Sequence, residues 1–288
     1  MEELATGYGL VEGPVWDAAR QCLYYSDVPN GGVFRLDADG GVSVQFPHRR
    51  GIGGMALHEA GGLVVGGRNL AFKSFAGGPS QVLLDNDVTE HAIGFNDFTT
   101  DPRGRIWAGS LAFRVFGGEE PRPGHLHRVD LDGSAHTLSD GVMLTNGMGF
   151  SPDGTRLYHS DARAELIRVY DVDEAGGVSP WRVFARMPKD VPDGLAVAAD
   201  GTVWVALAHG GRVAVFSPEG EEVRSIPVPL PMVTSVCFGG PDLRDLYIVT
   251  GSRGGPHENC GAVFRIRADT PGLPLADCRV RLPEELRA

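Results

Sequence analysis

Short apolar segments separated by glycine-rich turns run along the whole chain. The stretch 144–161 shows the pattern: a polar residue and a glycine precede a short apolar segment, Ser151-Pro152-Asp153-Gly154 forms a turn, and a second apolar segment ends in Ser-Asp. Segments of this length, rich in β-branched and aromatic residues and separated by turn residues, predict β-strands joined by tight hairpins. The pattern therefore predicts an all-β protein.

The same order of features recurs six times. The first strand of each unit is predicted to begin at Glu12, Gly54, Asn96, Asn146, Asp193 and Ser235, which gives intervals of roughly 40–50 residues. A tight turn and a second strand follow each opening, a third strand is evident in most units, and some units have room for a fourth. This arithmetic predicts a six-bladed β-propeller with about four antiparallel strands per blade, formed by a single domain over residues 1–288.

A stacked solenoid is the structural alternative, but its inner strands would not need a polar residue at the start of most repeats. The closure of the sixth blade stays open at this stage. Only three strands are evident between Val236 and Arg267, and the fourth could come from the amino-terminal segment 4–10 or from the carboxy-terminal segment 278–282.

Composition narrows the classes of partner. The net charge of −11 predicts repulsion from nucleic acid and from anionic membrane surfaces, so neither is expected as a partner. The amino end lacks the basic and apolar character of a secretory leader, and no stretch approaches the roughly 18 apolar residues of a membrane span. We expect a cytoplasmic protein, and the sequence does not indicate its oligomeric state. The four cysteines lack CxxC spacing, which predicts free thiols.

A carboxylate or amide side chain opens four of the six inner strands. Because inner strands line the channel of a propeller, their entering ends point towards one place on the axis. Glu12, Asn96, Asn146 and Asp193 occupy these ends and supply two carboxylates and two amides, which are ligands typical of a hard cation such as Ca²⁺, Mg²⁺ or Mn²⁺. The alternative is that Asn and Asp precede glycine only because the pair suits turns. The shared register of all four favours a site.

Several motifs carry a family resemblance: Glu12-Gly13-Pro14-Val15-Trp16, Phe95-Asn96-Asp97, Asp101-Pro102-Arg103-Gly104-Arg105, Thr145-Asn146-Gly147 and Pro192-Asp193-Gly194. Together they resemble the SMP-30/gluconolactonase/regucalcin-like (LRE-like) family of six-bladed β-propeller lactonases over nearly the whole chain. The resemblance implies that Glu12, Asn146 and Asp193 hold one divalent metal, with Asn96 beside it touching metal or substrate. Sugar-lactone members commonly carry an arginine at the position of Gly94, and this chain departs from them there.

The expected activity is the opening of a small lactone, such as a sugar lactone. A divalent metal ion would polarise the ester carbonyl and Asp193 would act as general base, while Asn96 would position the substrate. Ca²⁺ is the first expectation for the metal, with Zn²⁺, Mg²⁺ and Mn²⁺ also possible. Hydrolysis of another ester or an organophosphate, and a non-catalytic metal-binding or interaction propeller, are the alternatives. No GxSxG motif supports a serine nucleophile.

Overall fold

The computed structural model describes residues 1–47, 49–115 and 117–283. Within these residues, twenty-four strands form six four-stranded antiparallel sheets, which are the blades of a six-bladed β-propeller. The predicted fold class and the predicted strand number per blade are therefore confirmed.

The first three blades contain, in order from the axis outwards, β2 (Val11–Asp17), β3 (Cys22–Asp27), β4 (Val33–Asp37) and β5 (Val42–Phe46); β6 (Met55–His58), β7 (Gly62–Val65), β8 (Leu70–Ser74) and β9 (Gln81–Leu84); and β10 (Gly94–Thr100), β11 (Ile106–Leu111), β12 (Gly124–Val129) and β13 (Ala135–Val142). The next two contain β14 (Thr145–Phe150), β15 (Arg156–Asp161), β16 (Leu166–Asp171) and β17 (Arg182–Arg186); and β18 (Pro192–Val197), β19 (Val203–Leu207), β20 (Arg212–Phe216) and β21 (Glu222–Pro227).

The sixth blade is closed by the amino terminus of the chain. Its inner strands are β22 (Met232–Gly239), β23 (Asp245–Gly251) and β24 (Gly261–Arg267), and the outer strand is β1 (Glu2–Tyr8). β1 pairs antiparallel with β24, from Glu2 opposite Arg265 to Tyr8 opposite Gly261. Of the two closures that the sequence left open, the structure therefore has the amino-terminal one. Joining the first and last parts of the chain in one sheet closes the ring.

Aromatic side chains bind neighbouring blades together. Trp107 of the third blade meets Phe150 of the fourth edge-on at 5.3 Å between ring centroids, and Trp204 of the fifth meets Phe238 of the sixth in the same way at 5.4 Å. Both tryptophans are fully buried. Such pairs contribute about 0.5–1.5 kcal/mol beyond the apolar area that they bury, so the hydrophobic core lies largely between blades.

The Asp101–Arg105 motif has a structural role. The Asp101 carboxylate accepts hydrogen bonds from Arg105 Nε at 2.6 Å and from Trp107 Nε1 at 2.9 Å, which fixes the tight turn between β10 and β11. The four cysteines are buried and unpaired, as predicted. In the described part of the chain, no helix has the length and apolar character needed to cross a membrane.

Candidate functional site

The inner strands of four blades carry a β-bulge at the same level. Pairing with the second strand is interrupted between Glu12 and Val15 in β2, Phe95 and Phe98 in β10, Thr145 and Met148 in β14, and Pro192 and Leu195 in β18. In each case the inner strand has one more residue than its partner across the interruption. A bulge of this kind changes the direction of a side chain and ends regular pairing, and bulges are frequent beside active sites.

All four predicted site residues lie at these bulges or at their edge. Asn146-Gly147 and Asp193-Gly194 lie inside β14 and β18, so their glycines do not form hairpin turns, and the turn alternative is wrong for these two pairs. Each glycine instead permits close contact between blades. A Cβ on Gly147 would lie 2.3 Å from the Leu195 nitrogen, and one on Gly194 would lie 2.0 Å from Ser235 Oγ.

The two amides form a hydrogen-bonded pair. Asn96 Nδ2 donates to Asn146 Oδ1 at 2.6 Å and to the Thr145 carbonyl oxygen at 2.8 Å. Thr145 is held in turn, because its Oγ1 lies 2.8 Å from Nε2 of the fully buried His159. Burial lowers the pKa of His159 to about 3, so its ring is neutral at pH 7. This chain of contacts fixes the Asn146 side chain, which is 8% exposed.

The carboxylates of the site repel one another. Burial, followed by the negative charges of Asp193 and Asp97, raises the pKa of Glu12 well above its usual range. Burial and the charge of Asp97 do the same to the pKa of Asp193, whose side chain is 6% exposed. Burial also raises the pKa of Asp97 to about 7. The favourable contacts of these groups are backbone N–H groups of the residue that follows each of them.

Asp97 is a member of the site that reasoning from the sequence missed. Asp97 follows Asn96 in the same bulge. The sequence feature that could have indicated it is the pair of consecutive polar residues at the start of this inner strand. Regular alternation would direct Asp97 away from the face that carries Asn96. Because the bulge breaks that alternation, the charge of Asp97 acts on both Glu12 and Asp193.

These residues fit a divalent cation. No cationic side chain that the structure describes is among the causes of the pKa shifts of Glu12 and Asp193. The ordered amide oxygen of Asn146 lies beside these two carboxylates. Oxygen donors of this kind suit Ca²⁺, Mg²⁺ or Mn²⁺. Across residues 1–47, 49–115 and 117–283, no cluster of three or more His, Cys, Asp and Glu side chains could hold a metal by itself. A metal site formed by these residues would need the oxygen of Asn146 as well as those of Glu12 and Asp193.

Position 94 has no space for a side chain. A Cβ on Gly94 would lie 2.6 Å from the Gly67 carbonyl oxygen and 3.3 Å from the Arg68 Cα. The loop between β7 and β8 occupies that volume, and it is bonded to β10 in both directions between Gly67 and Phe95. A side chain at position 94 would therefore require this loop to move.

The fold and this cluster define a six-bladed propeller with carboxylate and amide oxygens gathered at one end of its inner strands. Comparison with known proteins gives the family: the profile of the SMP-30/Gluconolactonase/LRE-like region matches residues 10–252, and the chain belongs to this family. The resemblance in the motifs is thereby confirmed.

Two curated relatives match nearly the whole chain. A 6-deoxy-6-sulfogluconolactonase of Pseudomonas putida is 37% identical and covers 91% of this chain and 92% of its own length. A pentonolactonase (XacC) of Haloferax volcanii is 34% identical and covers 96% and 97%, respectively. Among solved structures, a calcium-binding protein, regucalcin, of Agrobacterium tumefaciens superposes with a TM-score of 0.84 at 21% identity, covering 96% of this chain and 97% of that one. At this identity the last comparison shows the fold.

Proposed function

We propose that this protein is a divalent-metal-dependent lactonase that opens the ester ring of a small lactone, such as a sugar lactone. The observation that carries the proposal is the group of buried, mutually repelling carboxylates beside an ordered amide oxygen on the propeller axis. The family membership and the two relatives named as lactonases support the same reaction.

Glu12, Asn146 and Asp193 would hold the metal ion, and Ca²⁺ is the first candidate because the ligand atoms are oxygens and the Agrobacterium structure is described as calcium-binding. Zn²⁺, Mg²⁺ and Mn²⁺ are the other candidates. When bound, such an ion polarises the lactone carbonyl and stabilises the negative charge that develops during attack on it. Glu12 and Asp193 provide the charge that holds a cation, and Asn146 adds an oxygen without adding charge.

Asp193 is the proposed general base. The buried Asp193 carboxylate lies beside the proposed metal position, where it would take a proton from an attacking water that the metal ion makes more acidic. The water oxygen bonds to the carbonyl carbon, the ester bond between that carbon and the ring oxygen breaks, and the ring oxygen takes up a proton. The product is an open-chain hydroxy acid.

Asn96 is the proposed substrate-binding residue. Both of its hydrogen bonds use Nδ2. Its Oδ1 remains available to accept a hydrogen bond from a substrate hydroxyl group. The two bonds to β14 hold the Asn96 amide at the level of the carboxylates, so a hydroxyl bound there would fix the lactone ring relative to Asp193.

The test is proton release from a panel of γ- and δ-lactones by wild type, by Asp193→Asn and by Asp200→Asn. Asp200 is an exposed turn residue of the same blade, and its substitution makes the same change of charge. We expect wild type and Asp200→Asn to hydrolyse at least one lactone, and Asp193→Asn to be slower by about 10³-fold or more. Undiminished hydrolysis by Asp193→Asn would contradict the assigned base.

A second arm tests the metal and the substrate class. Protein stripped by a chelator should lose activity and recover it with one of Ca²⁺, Zn²⁺, Mg²⁺ or Mn²⁺. A simple carboxylic ester and a phosphotriester complete the panel. If only these two are hydrolysed, the protein is a hydrolase of another ester. If nothing is hydrolysed with any of the four metals, the lactonase proposal fails in favour of a binding function.

A further inference from the structure

Arg49 is a half-buried guanidinium that has no negatively charged partner among the residues that the structure describes. Its Nη2 donates to the Gly66 carbonyl oxygen at 3.1 Å, to the Asn69 carbonyl oxygen at 3.0 Å and to Asn69 Oδ1 at 3.1 Å. All three acceptors are neutral. Among the described residues, Arg49 takes part in no ion pair, and its Nε and Nη1 have no hydrogen-bond acceptor. Burial lowers the pKa of Arg49, and no charged group contributes to that shift.

The other deeply placed arginines are neutralised. Arg168 pairs with Asp161 at 2.7 Å, Arg105 with Asp101 at 2.6 Å, and Arg128 with Asp130 at 2.7 Å. Removing a charge from water without a counter-charge is unfavourable, so buried charges in proteins are normally paired. Arg49 differs from these three in that its guanidinium can still pair with an anion that reaches it from outside.

Arg49 lies at the end of the blades that carries the site residues. It belongs to the segment that enters β6 and is bonded to the loop between β7 and β8, and both connections lie at the end of the blades that carries the bulges. Its acceptor Gly66 donates through its own N–H to the Gly54 oxygen at 3.0 Å, and Gly54 N–H donates to the Asn96 oxygen at 3.0 Å. Two backbone hydrogen bonds therefore connect Gly66, which Arg49 contacts, with Asn96, the proposed substrate-binding residue.

The neighbourhood of Arg49 is positive in a protein whose net charge is −11. Arg50 is the next residue and Arg68 belongs to the loop that Arg49 holds; both are exposed, and neither forms an ion pair with another described residue. Nη2 of Arg49 is used by its three neutral acceptors, but the positive charge and the Nη1 left unused by the described residues can still bind an oxygen of a carboxylate, phosphate or sulfonate. An anion attached to a substrate would be attracted to this part of the rim.

We propose that Arg49 binds an anionic substituent of the substrate, so that the preferred substrates are lactones carrying a sulfonate, phosphate or carboxylate group away from the ester that reacts. This inference rests on the proposed lactonase function. Arg49 is a binding residue that selects the substrate, whereas the carboxylates and amides on the axis perform the reaction.

The experiment compares kcat/KM for glucono-1,5-lactone with kcat/KM for its 6-phospho and 6-sulfo derivatives and for a lactone bearing a carboxylate. The proteins are wild type, Arg49→Met, Arg49→Lys and Arg103→Met. Arg103 is an exposed arginine in a tight turn at the other end of the blades, so it controls for the change of net charge. The relative rates of the three anionic lactones identify which anion is preferred.

Wild type and Arg103→Met should favour at least one anionic lactone by about tenfold or more over the neutral one. Arg49→Met should reduce that ratio by about 10–100-fold through KM, because it removes the positive charge and a charge-assisted hydrogen bond. Arg49→Lys should retain part of the preference, since a lysine keeps the charge but loses the contacts that hold the guanidinium in place. A purely structural role would lower activity on neutral and anionic lactones alike, and that result would overturn the proposal.

Wild type that hydrolyses neutral lactones without preferring any anionic one would overturn the role of Arg49 and leave the lactonase proposal standing. If no lactone is hydrolysed, the lactonase proposal fails, and Arg49 is judged by binding alone. The measurement is then the rise in Tm on adding 6-phosphogluconate, compared with gluconate. A larger rise with 6-phosphogluconate that disappears in Arg49→Met supports an anion site, and equal rises in both proteins overturn it.

Discussion

The two ends of the inner strands differ in chemistry although the same strands form both. Where the strands begin, bulges gather carboxylates and amides on the axis. Where they end, Trp16, Met148, Phe150 and Phe238 line a cavity of about 720 Å³ that extends from Asp97 of the site towards the tight turns. One short strand therefore supplies a polar residue to the site and, a few residues later, an aromatic or apolar residue to the scaffold.

The apolar end is crossed by the last part of the chain. Leu273 N–H donates to the Val197 oxygen at 3.0 Å, Cys278 N–H to the Leu57 oxygen at 2.7 Å, and Arg279 N–H to the Gly104 oxygen at 2.9 Å. These bonds connect the fifth, second and third blades. The comparison indicates that substitutions at the polar end should affect catalysis, whereas equivalent substitutions at the apolar end should affect stability.

The largest difference is expected between the two ends of β2. Glu12→Gln removes one of the two negatively charged groups proposed to hold the metal, so kcat/KM should fall by about 10³-fold and metal affinity should fall with it. Asp17→Asn, at the other end, weakens the contacts that Asp17 makes with the backbone N–H and the guanidinium of Arg20. It should lower stability and leave kcat/KM within about threefold of wild type. Lactone hydrolysis, calorimetric metal titration and urea unfolding measure these effects. Equal losses of activity in Glu12→Gln and Asp17→Asn would contradict the assignment of catalysis to the polar end alone.

Two glycines of β14 test the packing at each end. A Cβ on Gly147 would meet backbone atoms of the next blade, the Leu195 nitrogen at 2.3 Å, whereas one on Gly149 would first meet the tip of the Val197 side chain at 2.9 Å. Gly147→Ala should therefore destabilise the protein by about 3 kcal/mol or more, and Gly149→Ala by about 1 kcal/mol or less. Urea unfolding measures both, and similar values would show that the polar end is not the tighter one.

A smaller effect is expected along β10. Asn96→Ala removes the donor to Asn146 Oδ1, so kcat/KM or metal affinity should decrease by about 10–100-fold. Thr100→Val at the far end loses the hydrogen bond from Thr100 Oγ1 to the Ala276 oxygen at 2.5 Å. It should lower the free energy of unfolding by about 1 kcal/mol without changing kcat/KM. Normal metal affinity and normal kinetics in Asn96→Ala would remove Asn96 from the site.

The smallest effect is a pH dependence of stability from His159, which supports Thr145 at the polar end. Its pKa is about 3 in the folded protein and about 6.5 in an unfolded chain. The unfolded state therefore binds the proton more readily below pH 6.5, and this contribution to stability is complete above that pH and is lost as the pH falls towards 3. The expected slope is about 1.4 kcal/mol per pH unit. Urea unfolding between pH 7 and pH 5 should show a smaller slope for His159→Phe.

Much of the architecture could be predicted from local pattern. The third and fourth strands of the fourth and fifth blades were recognisable, and so were the six openings, because strand, turn and strand recur at short range. β8 and β9 of the second blade were harder to recognise, since β8 ends in Lys73-Ser74 and β9 has only four residues. Blade closure by β1 depends on pairing between the two ends of the chain, and local pattern carries no information about that.

By itself the sequence determined the repeat, the propeller and the four polar residues at the starts of inner strands. In the stretch 144–161 it placed the turn Ser151-Pro152-Asp153-Gly154 and the polar Asn146. Tertiary structure decided which of these lie together. Asn96 bonds to Asn146 from the neighbouring blade, and Asp97 joins the carboxylates through a bulge. Arg49 has no carboxylate partner within residues 1–47, 49–115 and 117–283. These properties arise between segments distant in sequence, because contacts, burial and pKa depend on every group that folding brings close.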